Sequence, residues 1–142
     1  MTLGGGVTPI DEYRSVIYYH EDKPRWCETF KIAIPIEEFK QAHLKFTFKH
    51  RSSNEAKDKS EKPFALSYVR LMQRNGTTLQ DIQHELLVYK LEQKKYEESD
   101  ISYFKLPSTR GELVHLFDKE IKKLIFLNVV HFILFFCLYV LG

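Results

Sequence analysis

Cysteine is nearly absent from this chain. Cys27 and Cys137 are the only two, too few for a disulfide scaffold, and no run of Cys and His has zinc-ligand spacing. Charge of one sign is equally scarce: 21 Lys and Arg stand against 19 Asp and Glu, a formal net charge of +2. That balance excludes a strongly basic nucleic-acid arm. No internal repeat and no low-complexity linker interrupts the sequence. The N-terminal MTLGGGVTPI has neither a basic n-region nor an apolar h-region, so it does not read as a secretory signal. Its three glycines read as a flexible leader over residues 1–10, without the strand and helix that a phosphate-binding loop requires. What is present is apolar substance. The 142 residues are 44% hydrophobic and 14% aromatic, enough to bury the core of one ordinary domain.

The central part of the chain reads as short strands. Leu44, Phe46 and Phe48 alternate with Lys45, Thr47 and Lys49, a period of two with one buried and one wet face. Phe30, Ile32 and Ile34 repeat the pattern until Pro35, which offers no N–H to a ladder. Residues 13–19, 64–71 and 86–91 are rich in β-branched and aromatic side chains, and 101–106 adds one more candidate strand before Pro107. Asn75-Gly76 between two of these runs is a hairpin signal, since both residues tolerate positive φ. Strands at this spacing, with no helical period between them, predict an all-β antiparallel sandwich. A short amphipathic helix is predicted over 113–123.

No constellation of residues supports catalysis. The six histidines are scattered, and none accompanies a nucleophile motif. Cys27 reads as a half-buried small residue, and the pairs Glu37-Glu38 and Glu97-Glu98 as solvated charge. Calcium requires several converging oxygens, whereas the acids here are isolated, so no cofactor or metal is expected. The informative segment is KHRSSNEAKDKSEKP, residues 49–63. As a solvated loop of mixed charge it needs no function. Its lysines also suit an anionic lipid, because each basic side chain near such a surface contributes about 1 kcal/mol. Nucleic acid is not expected as a partner, since the aromatics fall on strands and are not interleaved with these charges. Asn75-Gly76-Thr77 fits a glycosylation sequon, but the turn reading accounts for it.

These residues also carry a resemblance. EYRSVIYYHEDKPRWCETFKIAIPIEEF (12–39), HLKFTFKHRSSNEAKDKSEKPFALSYVRLM (43–72), NGTTLQDIQHELLVYK (75–90) and LPST (106–109) closely resemble the DOCK (dedicator of cytokinesis) family. The likeness is to the C2-type domain known as the first DOCK-homology region, in the Rac-activating subgroup, over residues 11–112. The resemblance implies a type II C2 sandwich that binds phosphatidylinositol 3,4,5-trisphosphate without calcium and brings an exchange factor for Rac-type GTPases to the membrane. It implies that Lys57, Lys59 and Lys62 contact the lipid headgroup, with Arg51 in support. Against the family pattern, the first two strands and the basic loop joining them have no counterpart. The closing IKKLIFLNVVHFILFFCLYVLG does not continue it either. On this reading the chain is a fragment or variant product without the exchange region, an incomplete sandwich that is not an enzyme and makes no direct GTPase contact.

Residues 124–142 hold no Asp, Glu, Lys or Arg, and 14 of them are Leu, Ile, Phe or Val. As a helix they extend roughly 28 Å, close to the hydrocarbon thickness of a bilayer. Lys119, Lys122 and Lys123 precede them, which predicts a tail anchor with its N-terminal side at the cytoplasmic face. A tail-anchored protein whose partial sandwich is only a scaffold is therefore the alternative function.

Overall fold

A computed structural model describes residue 12, residues 14–21 and 23–113, and the backbone of 139–141. The flexible leader over 1–10, most of the predicted 113–123 helix and residues 124–138 of the candidate membrane span lie outside the described residues. Nine short elements are described in chain order: β1 (Ala33–Pro35), β2 (His43–Phe48), α1 (Glu55–Ser60), β3 (Ala65–Arg70), β4 (Tyr89–Lys90), the 3-10 helices η1 (Gln93–Lys95) and η2 (Ser102–Lys105), α2 (Arg110–Leu113) and β5 (Tyr139–Leu141). The described residues of 1–43, 70–84 and 131–142 form one unit and those of 44–69 and 85–130 another.

The second unit holds the three-stranded sheet, in the order β2-β3-β4. Phe64 N–H donates to Phe48 O at 2.8 Å. The end of β2 thus meets the start of β3, the crossing pattern of an antiparallel pair. β4 is antiparallel to β3, with Ala65 opposite Lys90 and Leu66 opposite Tyr89. As the middle strand, β3 is buried on both faces from Ala65 to Val69. Leu66 and Tyr68 form the core with Tyr103, against which Leu91 and Phe104 pack. Tyr68 meets Tyr103 and Phe104 edge-on, at ring separations of 5.1 and 5.4 Å, a favoured aromatic geometry.

In the first unit, β1 pairs in parallel with β5, Ala33 opposite Tyr139 and Pro35 opposite Leu141. Pro35 is the last residue of its strand, as its missing N–H leads one to expect. The hairpin at Asn75-Gly76 also forms. Gln73 and Thr77 are joined by a 2.8 Å backbone bond, Gly76 N–H donates to Gln73 O at 3.0 Å, and Met72 faces Thr78 across an antiparallel bridge. Of the two turn residues only Gly76 takes positive φ, at 83°. The connection is therefore a three-residue loop closed by a left-handed glycine, not a two-residue turn.

The all-β antiparallel class holds, with four local corrections. Residues 14–18 are not a strand: Val16 and Ile17 are 62% and 65% exposed. Here the chain folds on itself, Trp26 Nε1–H donating to Val16 O at 3.1 Å, and no described strand lies alongside to supply a ladder. Residues 102–105 form η2 instead of a strand, because the Asp100 carboxylate accepts the Ser102 N–H at 2.8 Å and its hydroxyl at 3.0 Å. This local capture turns the backbone and aims Tyr103 at the core. The predicted 49–63 loop contains the helix α1. In the apolar tail, Tyr139–Leu141 are extended along β1 where a helix to residue 142 was predicted. Among the described residues, no helix is long and apolar enough to cross a membrane.

Candidate functional site

The predicted lipid-contacting residues lie on and around α1, between β2 and β3. Asn54 starts the helix as its N-cap: the side chain accepts the Lys57 N–H at 3.1 Å while the backbone stays extended. Glu61 ends it, with extended dihedrals, and Pro63 two residues on cannot continue it. Asp58 draws the preceding segment onto the helix. One carboxylate oxygen accepts the Ser52 N–H at 3.0 Å, and the other pairs with the Arg51 guanidinium at 2.6 Å. The Asp58 side chain is only 17% exposed while that of Arg51 is 59% exposed. One acidic charge of the segment is thereby turned inward and neutralised.

Lys57, Lys59 and Lys62 are all exposed. None has an ion-pair partner among the described residues. Lys57 and Lys59 share the helix, but two steps of about 100° place them on roughly opposite sides of it. Arg51 is near them in sequence, and its Nη1 is paired with Asp58, which compensates its charge while the side chain stays 59% exposed.

A second basic stretch sits beside Lys62 although it lies far along the chain. The Gln93 side-chain amide donates to Lys62 O at 2.8 Å and to Glu61 Oε1 at 3.2 Å. This bond seats η1, and with it Lys94 and Lys95, against the end of the α1 segment. Lys95 pairs with Glu92 at 2.7 Å on the surface. The hydrogen bond from Lys95 holds the Glu92 carboxyl below its ordinary value and, reciprocally, the Lys95 ammonium above its own. Sequence reasoning missed this stretch. The Lys94-Lys95 pair was readable, but its place opposite Lys62 depends on the β3–β4 register.

Lys45, assigned to the wet face of β2, is instead largely covered, with 18% of its side chain exposed. Its ammonium lies 5.3 Å from the Tyr103 ring centre and 5.7 Å from that of Tyr96, and 3.7 Å from Glu98 Oε1. Tyr96 donates its hydroxyl to Glu98 Oε2. That bond, aided by the charge of Lys45, holds the Glu98 carboxyl below its usual value, while burial and Glu98 push the Tyr96 phenol up to about 12. This cluster is internally satisfied, and it fixes the 96–103 segment over β2. Cys27 is exposed, where a half-buried position was expected. Among the described residues, no group of His, Cys, Asp and Glu is arranged to hold a metal ion.

Comparison with known proteins extends the resemblance. Residues 1–129 match the family model described as the C2 domain in Dock180 and Zizimin proteins, a wider span than 11–112. Dedicator of cytokinesis protein 4 of Homo sapiens is 41% identical over 111 residues, which is 78% of this chain and 6% of that protein. Its Mus musculus counterpart is 40% identical over 110 residues, again 78% and 6%. Dedicator of cytokinesis protein 3 of Homo sapiens is 41% identical over 113 residues, 79% of the chain and 5% of that protein. The chain thus spans about one-twentieth of the length of these curated relatives.

Proposed function

Since the chain belongs to the DOCK family and matches its C2 domain, we propose that it is a non-catalytic membrane-binding module of an exchange factor for Rac-type GTPases. Its ligand on this reading is an anionic phosphoinositide, phosphatidylinositol 3,4,5-trisphosphate, at the cytoplasmic face of the membrane. One observation carries the proposal. Lys57, Lys59 and Lys62 are exposed and unpaired among the described residues, while Asp58 beside them is turned inward onto Ser52 and Arg51. Folding therefore withdraws one acid, Asp58, from the surface and leaves Lys57, Lys59 and Lys62 exposed, with Glu55 the exposed acid among them. Lysine suits this role, being a compact point charge on a flexible stem that adapts to a polyphosphate.

Three lysines at about 1 kcal/mol each near an anionic surface sum to about 3 kcal/mol, roughly a hundredfold in affinity. The test is co-sedimentation of the full chain with phosphatidylcholine vesicles with and without the trisphosphate lipid. The variant K57A/K59A/K62A is expected to bind the lipid-containing vesicles about a hundredfold more weakly. Equal binding by the variant and the parent chain overturns the assignment.

A further inference from the structure

We propose that the 3-10 turn Gln93–Lys95 is a second basic element of the same membrane-contacting surface. Lys94 and Lys95 meet lipid phosphates, and Gln93 positions them. This inference rests on the reading of Lys57, Lys59 and Lys62 above, and adds to it a segment from a distant part of the chain.

The placement starts from the backbone ladder and is completed by the Gln93 side chain. β3 and β4 are registered with Ala65 opposite Lys90, and the ladder extends outward through the 2.8 Å bond from Leu91 N–H to Phe64 O. Continuing along it sets residues 92–95 beside 61–63, where the Gln93 amide donates to both Lys62 O and Glu61 Oε1. The turn itself is closed by the 3.0 Å bond from Lys95 N–H to Glu92 O. Residues inside the sheet, Ala65, Leu66 and Tyr89, are 1–4% exposed, so the support is rigid.

The charges favour an outside anion. Lys94 is exposed and has no ion pair among the described residues. The Lys95–Glu92 pair is open to water, with side chains 80% and 73% exposed, and such pairs are weak enough to exchange for a phosphate. Of the nearby acids, Glu92 holds Lys95 and Glu61 is occupied by the Gln93 amide, while Glu97, two residues past the turn, is exposed. Bridging two basic segments suits a ligand with phosphates spread over a surface, which makes a bilayer of anionic lipid the expected partner.

Vesicle co-sedimentation of the full chain across a salt series tests this. K94A/K95A is expected to bind trisphosphate-lipid vesicles roughly 10- to 30-fold more weakly, the scale for two lysines at an anionic surface, and K94R/K95R to stay near the parent. Q93A leaves the net charge unchanged, yet it is expected to weaken binding several-fold and flatten its salt dependence, with an unaltered urea midpoint. Soluble inositol 1,3,4,5-tetrakisphosphate, added as competitor, is expected to displace the parent chain only in part, because a single headgroup does not span both segments; complete displacement assigns the ligand to one headgroup and overturns the bilayer partner. Loss in K57A/K59A/K62A with parent-like binding by K94A/K95A and Q93A overturns the role of the turn and leaves the α1 reading intact. No loss in K57A/K59A/K62A overturns the α1 reading, and this inference with it.

Discussion

Replacing Tyr68 with Phe removes one oxygen from the largest fully buried side chain among the described residues. Tyr68 is 0% exposed, and its hydroxyl donates to Leu106 O and lies 3.4 Å from Phe104 O. The ring contacts with Tyr103 and Phe104 survive the substitution, so the loss is confined to polar bonding. A hydrogen bond contributes about 0.5–1.5 kcal/mol net, and a part-buried carbonyl left without its donor adds to that. The expected cost is about 1–2 kcal/mol, against about 3–5 kcal/mol for Tyr68→Ala, where a cavity opens as well. For a domain of this size each kcal/mol lowers the thermal midpoint by about 4–8 °C. Urea unfolding followed by intrinsic fluorescence reads the change directly. Tyr89→Phe supplies a second arm, because its hydroxyl donates to the next carbonyl along, Pro107 O, at 2.5 Å. The two tyrosines tether the same segment, so the double variant is expected to lose less than the sum of the singles. Tyr19→Phe, at an 87% exposed ring, serves as the neutral control. A Tyr68→Phe midpoint equal to that of the parent refutes the claim that these hydroxyls hold residues 104–107 to the sheet.

Asn54→Ala is expected to cost α1 about 1 kcal/mol. The Lys57 amide should then exchange with solvent about fivefold faster while β3 amides are unaffected, and unchanged Lys57 protection contradicts the cap. Gly76→Ala meets nothing within 4 Å of the new Cβ, so its expected loss of about 1–2 kcal/mol is purely the backbone cost at φ 83°. A thermal midpoint within error of the parent counts against that strain. Glu98 has its carboxyl held below 4.5 in the folded chain, chiefly by the Tyr96 hydroxyl, so the stability it confers is full above that value and fades as pH falls through the lower folded value. Acid unfolding of Glu98→Gln should therefore be less steep below about pH 4.5, and an unaltered acid limb rejects the link.

Much of the sheet was legible because its signal is local. Leu44, Phe46 and Phe48 alternate along β2, β-branched and aromatic residues mark β3, and Asn75-Gly76 announces a hairpin that does form. The same signals misled at residues 14–18 and 101–106. Strand propensity describes a residue suited to a pleated neighbour, and neither segment has one among the described residues; Asp100 instead captures Ser102 and winds η2. The helix in the 49–63 segment was hidden by its brevity, since six residues carry no amphipathic period.

By itself, the sequence determined the all-β class, the family and the presence of a lysine-rich segment between two strands. Each is written in neighbouring residues or in their order, and survives any arrangement of the rest. The tertiary structure decided which charges remain available. Asp58 is turned in on Arg51 and Ser52, Lys45 is spent on Tyr96, Tyr103 and Glu98, and Gln93 carries Lys94 and Lys95 to the end of the α1 segment. A charge covered and compensated inside the fold is lost to a ligand, and partners distant in sequence are chosen by strand register, which no local pattern of residues records.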